Sequence, residues 1–127
     1  MKNMAKVILG ALLLGAFSCA EADIIQVWKC TLHDGKTDAD IEQASSAWLA
    51  AAKSMQGGAD LEVYHNYPLA ANAGEGGFMF VLVAPDTATW GDFMNGYEGS
   101  AAAKADAGWN NVAACSGSSL WNSTKIK

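Results

Sequence analysis

A pair of cysteines near the two ends of the folded part of this chain restricts its fold more than any other sequence feature. The chain has three cysteines, Cys19, Cys30 and Cys115. Cys19 falls in an N-terminal segment that we expect to be removed or lipidated on export, so the other two remain. In an oxidising compartment we expect them to form one disulfide, which the chain-entropy model values at about 4 to 5 kcal/mol for so long a loop. The alternative is a pair of buried thiols.

The N-terminal segment, residues 1–22, has the pattern of a secretory signal peptide. Lys2 and Lys6 precede or border an uncharged apolar run at 7–17, and small residues follow. The run is shorter than the about 20 apolar residues that a membrane span needs. Cleavage just before Cys19 would leave a lipid anchor there, but the preceding residues depart from the lipoprotein pattern. We therefore expect one exported domain, 23–127, in the periplasm or secreted.

The charge of this domain excludes some partners. Without the signal peptide the chain keeps six lysines, no arginine and twelve acidic residues, a formal net charge of −6. Nucleic-acid binding needs clustered Lys and Arg, and anionic membranes attract the same residues. We therefore expect neither nucleic acid nor a membrane surface as a partner.

Six segments of the mature chain have the pattern of regular secondary structure. Their apolar residues alternate in the strands and recur every three to four residues in the helices. In chain order they are a strand at 24–32, a helix from Ile41 to Gly57 and Gly58, strands at 61–67 and 78–83, a helix from Asp86 or Thr87 to about Val112, and a strand at about 120–126. We expect a flexible hairpin connection at 72–77.

The order β-α-β-β-α-β is that of the ferredoxin-like α+β fold, a four-stranded antiparallel sheet with two helices on one face. In element order and patterning, 23–127 resembles the dimeric α+β barrel superfamily. The resemblance covers nearly all of the mature chain and includes no motif, so it implies a fold rather than an activity. The first and last strands are neighbours in this fold, which brings Cys30 close to Cys115.

Side-chain alternation divides the sheet into a face toward the helices and an open face. We expect Trp28, Cys30 and Leu32 to face the helices. The third strand is apolar on both faces, with Phe78, Phe80 and Leu82 on one and Met79, Val81 and Val83 on the other. A sheet with helices on one side needs a cover for its other apolar face, and a second copy in a homodimer is the simplest. The alternative is a central strand buried under long loops.

Polar and aromatic side chains on the open face form the predicted functional site. The predicted ligand-binding residues are Lys29, Thr31, Glu62, Tyr64, Asn66 and Trp121, with His33 as the catalytic acid or base. An amine, a carboxylate, a phenol and an imidazole around a partly apolar cavity suit a small organic ligand or acid-base catalysis without a cofactor. A solvated edge or the polar rim of a dimer would have the same pattern. The alternative function is therefore a non-catalytic envelope or secreted module that uses this face only to dimerise.

The stretch HDGKTDAD at 33–40 resembles an acidic metal site but does not have the spacing of a calcium loop. Asp34 and Gly35 predict a turn, and Thr37 with Asp40 predicts a capping box at the start of the first helix. Two histidines about thirty residues apart do not specify zinc, and we expect His65 to be a hydrogen-bonded core or edge residue. The sequence predicts no metal site and no cofactor.

Overall fold

The computed structural model describes residues 23–70 and 74–126, so the predicted signal peptide and Cys19 lie outside the described residues. Four strands and three helices follow one another in the order β-α-β-β-α-α-β. They are β1 Asp23–Leu32, α1 Asp38–Lys53, β2 Glu62–Asn66, β3 Gly77–Ala84, α2 Thr87–Asn95, α3 Ala101–Asn110 and β4 Ala113–Ser123.

All four strands form one antiparallel sheet in the order β2-β3-β1-β4. This is the predicted ferredoxin-like topology, with β1 and β3 in the centre. The helices cover one face, where the even-numbered residues of β1 and β3 lie; Phe80, for example, is 7% exposed and contacts rings of α1 and α3. The predicted orientation of Trp28, Cys30 and Leu32 toward the helices is confirmed by their place in this core.

The predicted disulfide joins Cys30 to Cys115, which are directly paired residues of β1 and β4. Its sulfur atoms lie on the helical side of the sheet, where Cys30 is buried. The predicted capping box is also present at the start of α1. The Thr37 side chain accepts a hydrogen bond from the backbone N–H of Asp40, and the Asp40 carboxylate accepts one from the backbone N–H of Thr37.

The second predicted helix is divided into α2 and α3, so the prediction of two helices is wrong in that detail. Gly99 has a φ of 73°, in the left-handed region that favours glycine. Ser100 then starts α3 as its N-cap, because its hydroxyl accepts a hydrogen bond from the backbone N–H of Ala103. The connection between the two helices places Tyr97 outside either of them.

The last strand begins seven residues before the predicted start at Leu120 and ends at Ser123. Ser116, Gly117 and Ser118 look like a loop in the sequence, but the strand continues through them. Trp28 pairs with Ser118 and Lys29 with Ser116, so Gly117 is the extra residue of a β-bulge, with a φ of 71°. The bulge keeps the ladder intact on both sides of the glycine.

Candidate ligand cavity

The six predicted ligand-binding residues share the open face, as alternation predicts. The strand register places them in rows across the sheet. One row contains Glu62 and Trp121, and the next contains Tyr64. A third row contains Asn66 and Lys29. Thr31 lies two residues beyond Lys29 along β1. Glu62 and Trp121 lie on opposite edge strands, three strand spacings or about 14 Å apart. Within one copy these side chains are spread over an open surface rather than gathered into a pocket.

One local interaction on this face links two of the predicted residues. The Tyr64 hydroxyl donates a hydrogen bond to the Glu62 carboxylate. This bond, together with the negative charge of Glu62, raises the pKa of Tyr64 above its ordinary value. Tyr64 therefore remains a phenol at neutral pH and not a phenolate.

His33 does not join the six, so the structure corrects its predicted orientation toward the open face. Its ring nitrogen Nε2 lies 2.9 Å from the backbone carbonyl of Asn110, the last residue of α3. Its backbone N–H donates to the carbonyl of Val112. Strand β1 ends at Leu32, so the alternation that assigned a face to His33 no longer applies one residue later.

A cavity of about 380 Å³ lies on the other face, between the sheet and the helices. Aromatic rings form most of its wall, and Phe80 is central among them. The indoles of Trp28, Trp48 and Trp109 each have ring centroids 5.6 Å from that of Phe80, at steep interplanar angles. The other lining residues are Leu82, Phe93, Met94, Tyr97, Asp106, Asn110 and Cys115. Such a wall suits a flat, apolar molecule.

A chain of hydrogen bonds forms the polar part of the cavity wall. The Trp48 indole N–H donates to the Tyr97 hydroxyl over 2.9 Å, and that hydroxyl donates to Oδ2 of Asp106 over 2.7 Å. Burial, followed by the hydrogen bond to Asp106, raises the pKa of Tyr97 far above its ordinary value. Tyr97 therefore stays protonated and directs its proton at Asp106, the one carboxylate of the wall.

Sequence reasoning missed this cavity and its polar residues. Trp48 and Tyr97 fall on the apolar stripes of the two predicted helices, which indicate core packing, and Asp106 belongs to no motif. A usable signal was present, since buried Tyr and Trp side chains carry a polar atom that needs a partner. What the sequence does not show is that α1, the α2–α3 connection and α3 bring the three side chains together.

The described residues offer no alternative metal site or membrane span. Within 23–70 and 74–126, no group of three His, Cys, Asp or Glu side chains could hold a metal ion. No helix of this same part of the chain is long and apolar enough to cross a membrane.

Comparison with known proteins shows the fold and leaves the activity open. No protein-family profile matches the chain, and no curated protein matches it in sequence. Among solved structures it is similar to SnoaB, a cofactor-independent oxygenase from Streptomyces nogalater, with a TM-score of 0.55 and 12% identity over 83% of this chain and 96% of that one. The likeness is one of fold. It confirms the ferredoxin-like architecture.

Proposed function

We propose that the helix-side cavity binds a flat aromatic small molecule bearing an acidic hydroxyl group, and that Asp106 removes a proton from it. The observation that carries this proposal is the single carboxylate, held by Tyr97, in a wall of three indoles. Aromatic walls favour a stacked or edge-on aromatic ligand, and a carboxylate near such a wall suits a hydroxyl donor. An aliphatic ligand would make no specific use of the arrangement of the indoles.

We propose that the reaction which follows removal of this proton is an oxygenation without a cofactor. An ionised hydroxyaromatic molecule is electron-rich and can pass electrons directly to dioxygen. One oxygen atom then becomes a ring carbonyl, and the other leaves as water with two substrate hydrogens, so a phenol and dioxygen give a quinone and water. The similarity to SnoaB, which is described as a cofactor-independent oxygenase, supports this class of reaction.

The test uses naphthol and naphthalene, which differ by one hydroxyl group. We expect the mature protein to bind naphthol more tightly than naphthalene and to consume dioxygen with naphthol. Asp106→Asn should reduce dioxygen uptake by about 10²-fold or more, the usual contribution of a positioned base. Asp92→Asn, an exposed carboxylate of α2, is the matched control. Equal uptake by wild type and Asp106→Asn would contradict the assignment.

We also propose that a second copy covers the open face. The central residue of that face, Val81, is only 7% exposed, whereas its outer residues Met79 and Trp121 are 43% and 60% exposed. An apolar centre with an exposed apolar margin is typical of a surface that a partner completes. In such a homodimer the predicted residues Lys29, Thr31, Glu62, Tyr64, Asn66 and Trp121 would meet the partner.

A ligand site closed between two copies is the second candidate function, and the Tyr64–Glu62 pair favours it. Under this alternative Tyr64→Phe weakens naphthol binding and Tyr97→Phe does not. If no hydroxyaromatic probe binds, the result supports the remaining alternative, a non-catalytic envelope or secreted module that uses its face only to dimerise.

We propose further that the domain is exported and released. The Cys30–Cys115 disulfide supports an oxidising compartment. Mass spectrometry of the protein from its source should show a mature chain that starts after residue 22 and has no free thiol when denatured. A lipidated Cys19 at the new N-terminus would instead identify an anchored form, and a full-length reduced chain would contradict export.

A further inference from the structure

Ser45 is the one buried polar side chain of the described core, with 4% exposure, and it lies on the sheet-facing side of α1. A serine within a helix often bonds to the carbonyl four residues before it, as Ser46 does with Glu42. Ser45 has two distant partners instead. Its Oγ lies 2.8 Å from the indole nitrogen of Trp109 and 2.8 Å from Nε2 of His65. The hydroxyl therefore joins the cavity wall to strand β2.

The donors along this chain favour one protonation state of His65. The indole N–H of Trp109 can only donate, so Ser45 Oγ accepts a hydrogen bond from it. The Ser45 hydroxyl then donates its own proton to Nε2 of His65. Nε2 is then an acceptor, and the ring carries its proton on Nδ1, 3.3 Å from the Tyr67 hydroxyl. A protonated ring would donate at Nε2, which would leave the buried Ser45 proton without a partner.

The surroundings of His65 favour the same neutral form. Burial lowers the pKa of His65, against the carboxylates Glu42 and Asp38, which raise it. From strand β3 the apolar rings of Phe78 and Phe80 pack against the imidazole. The ring also borders a second concavity, an open groove of about 390 Å³ between α1 and β2, whose other titratable residues are Glu42, Tyr64 and Tyr67. Protons from solvent therefore reach His65 through the groove.

We infer that Ser45 and neutral His65 are positioning residues, which hold the Trp109 indole in the cavity wall and release it when His65 is protonated. Ligand affinity in the cavity should then fall at acidic pH although His65 does not line the cavity. The inference rests on the proposed function and deepens it, because the affinity of a ligand in the cavity depends on the position of the Trp109 indole. The ring of Trp109, packed on Phe80 at 5.6 Å, transmits the change.

The first test follows the indole N–H signal of Trp109 by NMR without any ligand. We expect this signal to titrate with a midpoint equal to that of the His65 ring, and His65→Gln, which offers Ser45 a neutral acceptor, should abolish the titration. His33 also lies near Trp109, through Asn110. Loss of the titration in His33→Gln rather than in His65→Gln would overturn the inference.

The second test measures naphthol affinity between about pH 8 and about pH 5. We expect the wild-type affinity to fall roughly tenfold over this range, as the charged ring disrupts its hydrogen bond. Ser45→Ala should bind weakly at both ends, Ser46→Ala should behave as wild type, and His65→Gln should lose the pH dependence. A wild-type affinity that is constant with pH, or a pH dependence that persists in His65→Gln, would overturn the inference. If naphthol does not bind at all the proposed function fails, and the NMR titration still decides this one.

Discussion

The two faces of the sheet are built from the same strands but end in different environments. On the helical face Phe80 lies among three indoles at the wall of a cavity. On the open face its neighbours Met79 and Val81 are covered by no helix, although Val81 is as buried as Phe80. The helical face is complete within one chain, whereas the open face is an apolar surface that lacks a cover. Substitutions at adjacent residues of β3 should therefore have different effects. On the helical face they should lower the free energy of unfolding, and on the open face they should weaken association.

The largest effect should come from truncating the helical face. Phe80→Ala removes the ring that all three cavity indoles contact, and we expect it to lower the free energy of unfolding by about 4 kcal/mol. Urea titration measures this change. The matched variant Met79→Ala should cost much less under conditions where the protein is monomeric, because Met79 is 43% exposed. Equal costs at the two positions would show that the faces do not differ as described.

The next effect concerns association through the open face. Met79 is paired with Lys29 across the sheet, so Met79→Glu adds a carboxylate that a single copy can hold beside a lysine. Burying that charge against a second copy is unfavourable, and we expect the dimer dissociation constant to rise roughly a hundredfold. Sedimentation equilibrium measures it, with Met79→Leu as the control. A wild-type monomer at micromolar concentration would contradict the dimer, and an unchanged Met79→Glu dimer would exclude this face as its interface.

The smallest effect should come from the start of α1, which covers only the helical face. Thr37→Ala removes one half of the capping box and should lower the free energy of unfolding by about 1 kcal/mol without changing association. The hydrogen bond from the backbone N–H of Thr37 lowers the pKa of Asp40. The contribution of Asp40 is therefore present above the ordinary pKa of an aspartate and is lost as the pH falls through the lowered value. Asp40→Ala removes this carboxylate, so a dependence on pH that is the same in Asp40→Ala and wild type would contradict this account.

Local patterns in the sequence predict the parts of the fold that depend on local physics. Alternation assigned Cys30 and Tyr64 to the faces where the structure places them, and the spacing of Thr37 and Asp40 predicted the capping box. The division of the second helix and the bulge at Gly117 were missed, because glycine permits several backbone conformations and tertiary pairing selects one. These errors changed element boundaries but left the topology intact.

The candidate site was harder to predict because it depends on tertiary contacts. Trp48, Tyr97 and Asp106 lie on three segments, and no local spacing shows that their polar atoms form one chain. His33 was assigned to the open face by continuing an alternation past the end of β1. The prediction of a site on the open face therefore rested on polar side chains that share a surface, whereas the cavity lies across the sheet from them.

The side of the sheet that takes the ligand is the central claim, and four of the five tryptophans report on it directly. Trp28, Trp48 and Trp109 line the cavity, whereas Trp121 lies on the open face. The most direct measurement is an NMR titration of the indole N–H signals with naphthol. We predict that the signals of the three cavity tryptophans shift along one binding curve while that of Trp121 stays unchanged. A shift of Trp121 with no change at the other three would place the ligand on the open face and contradict the account.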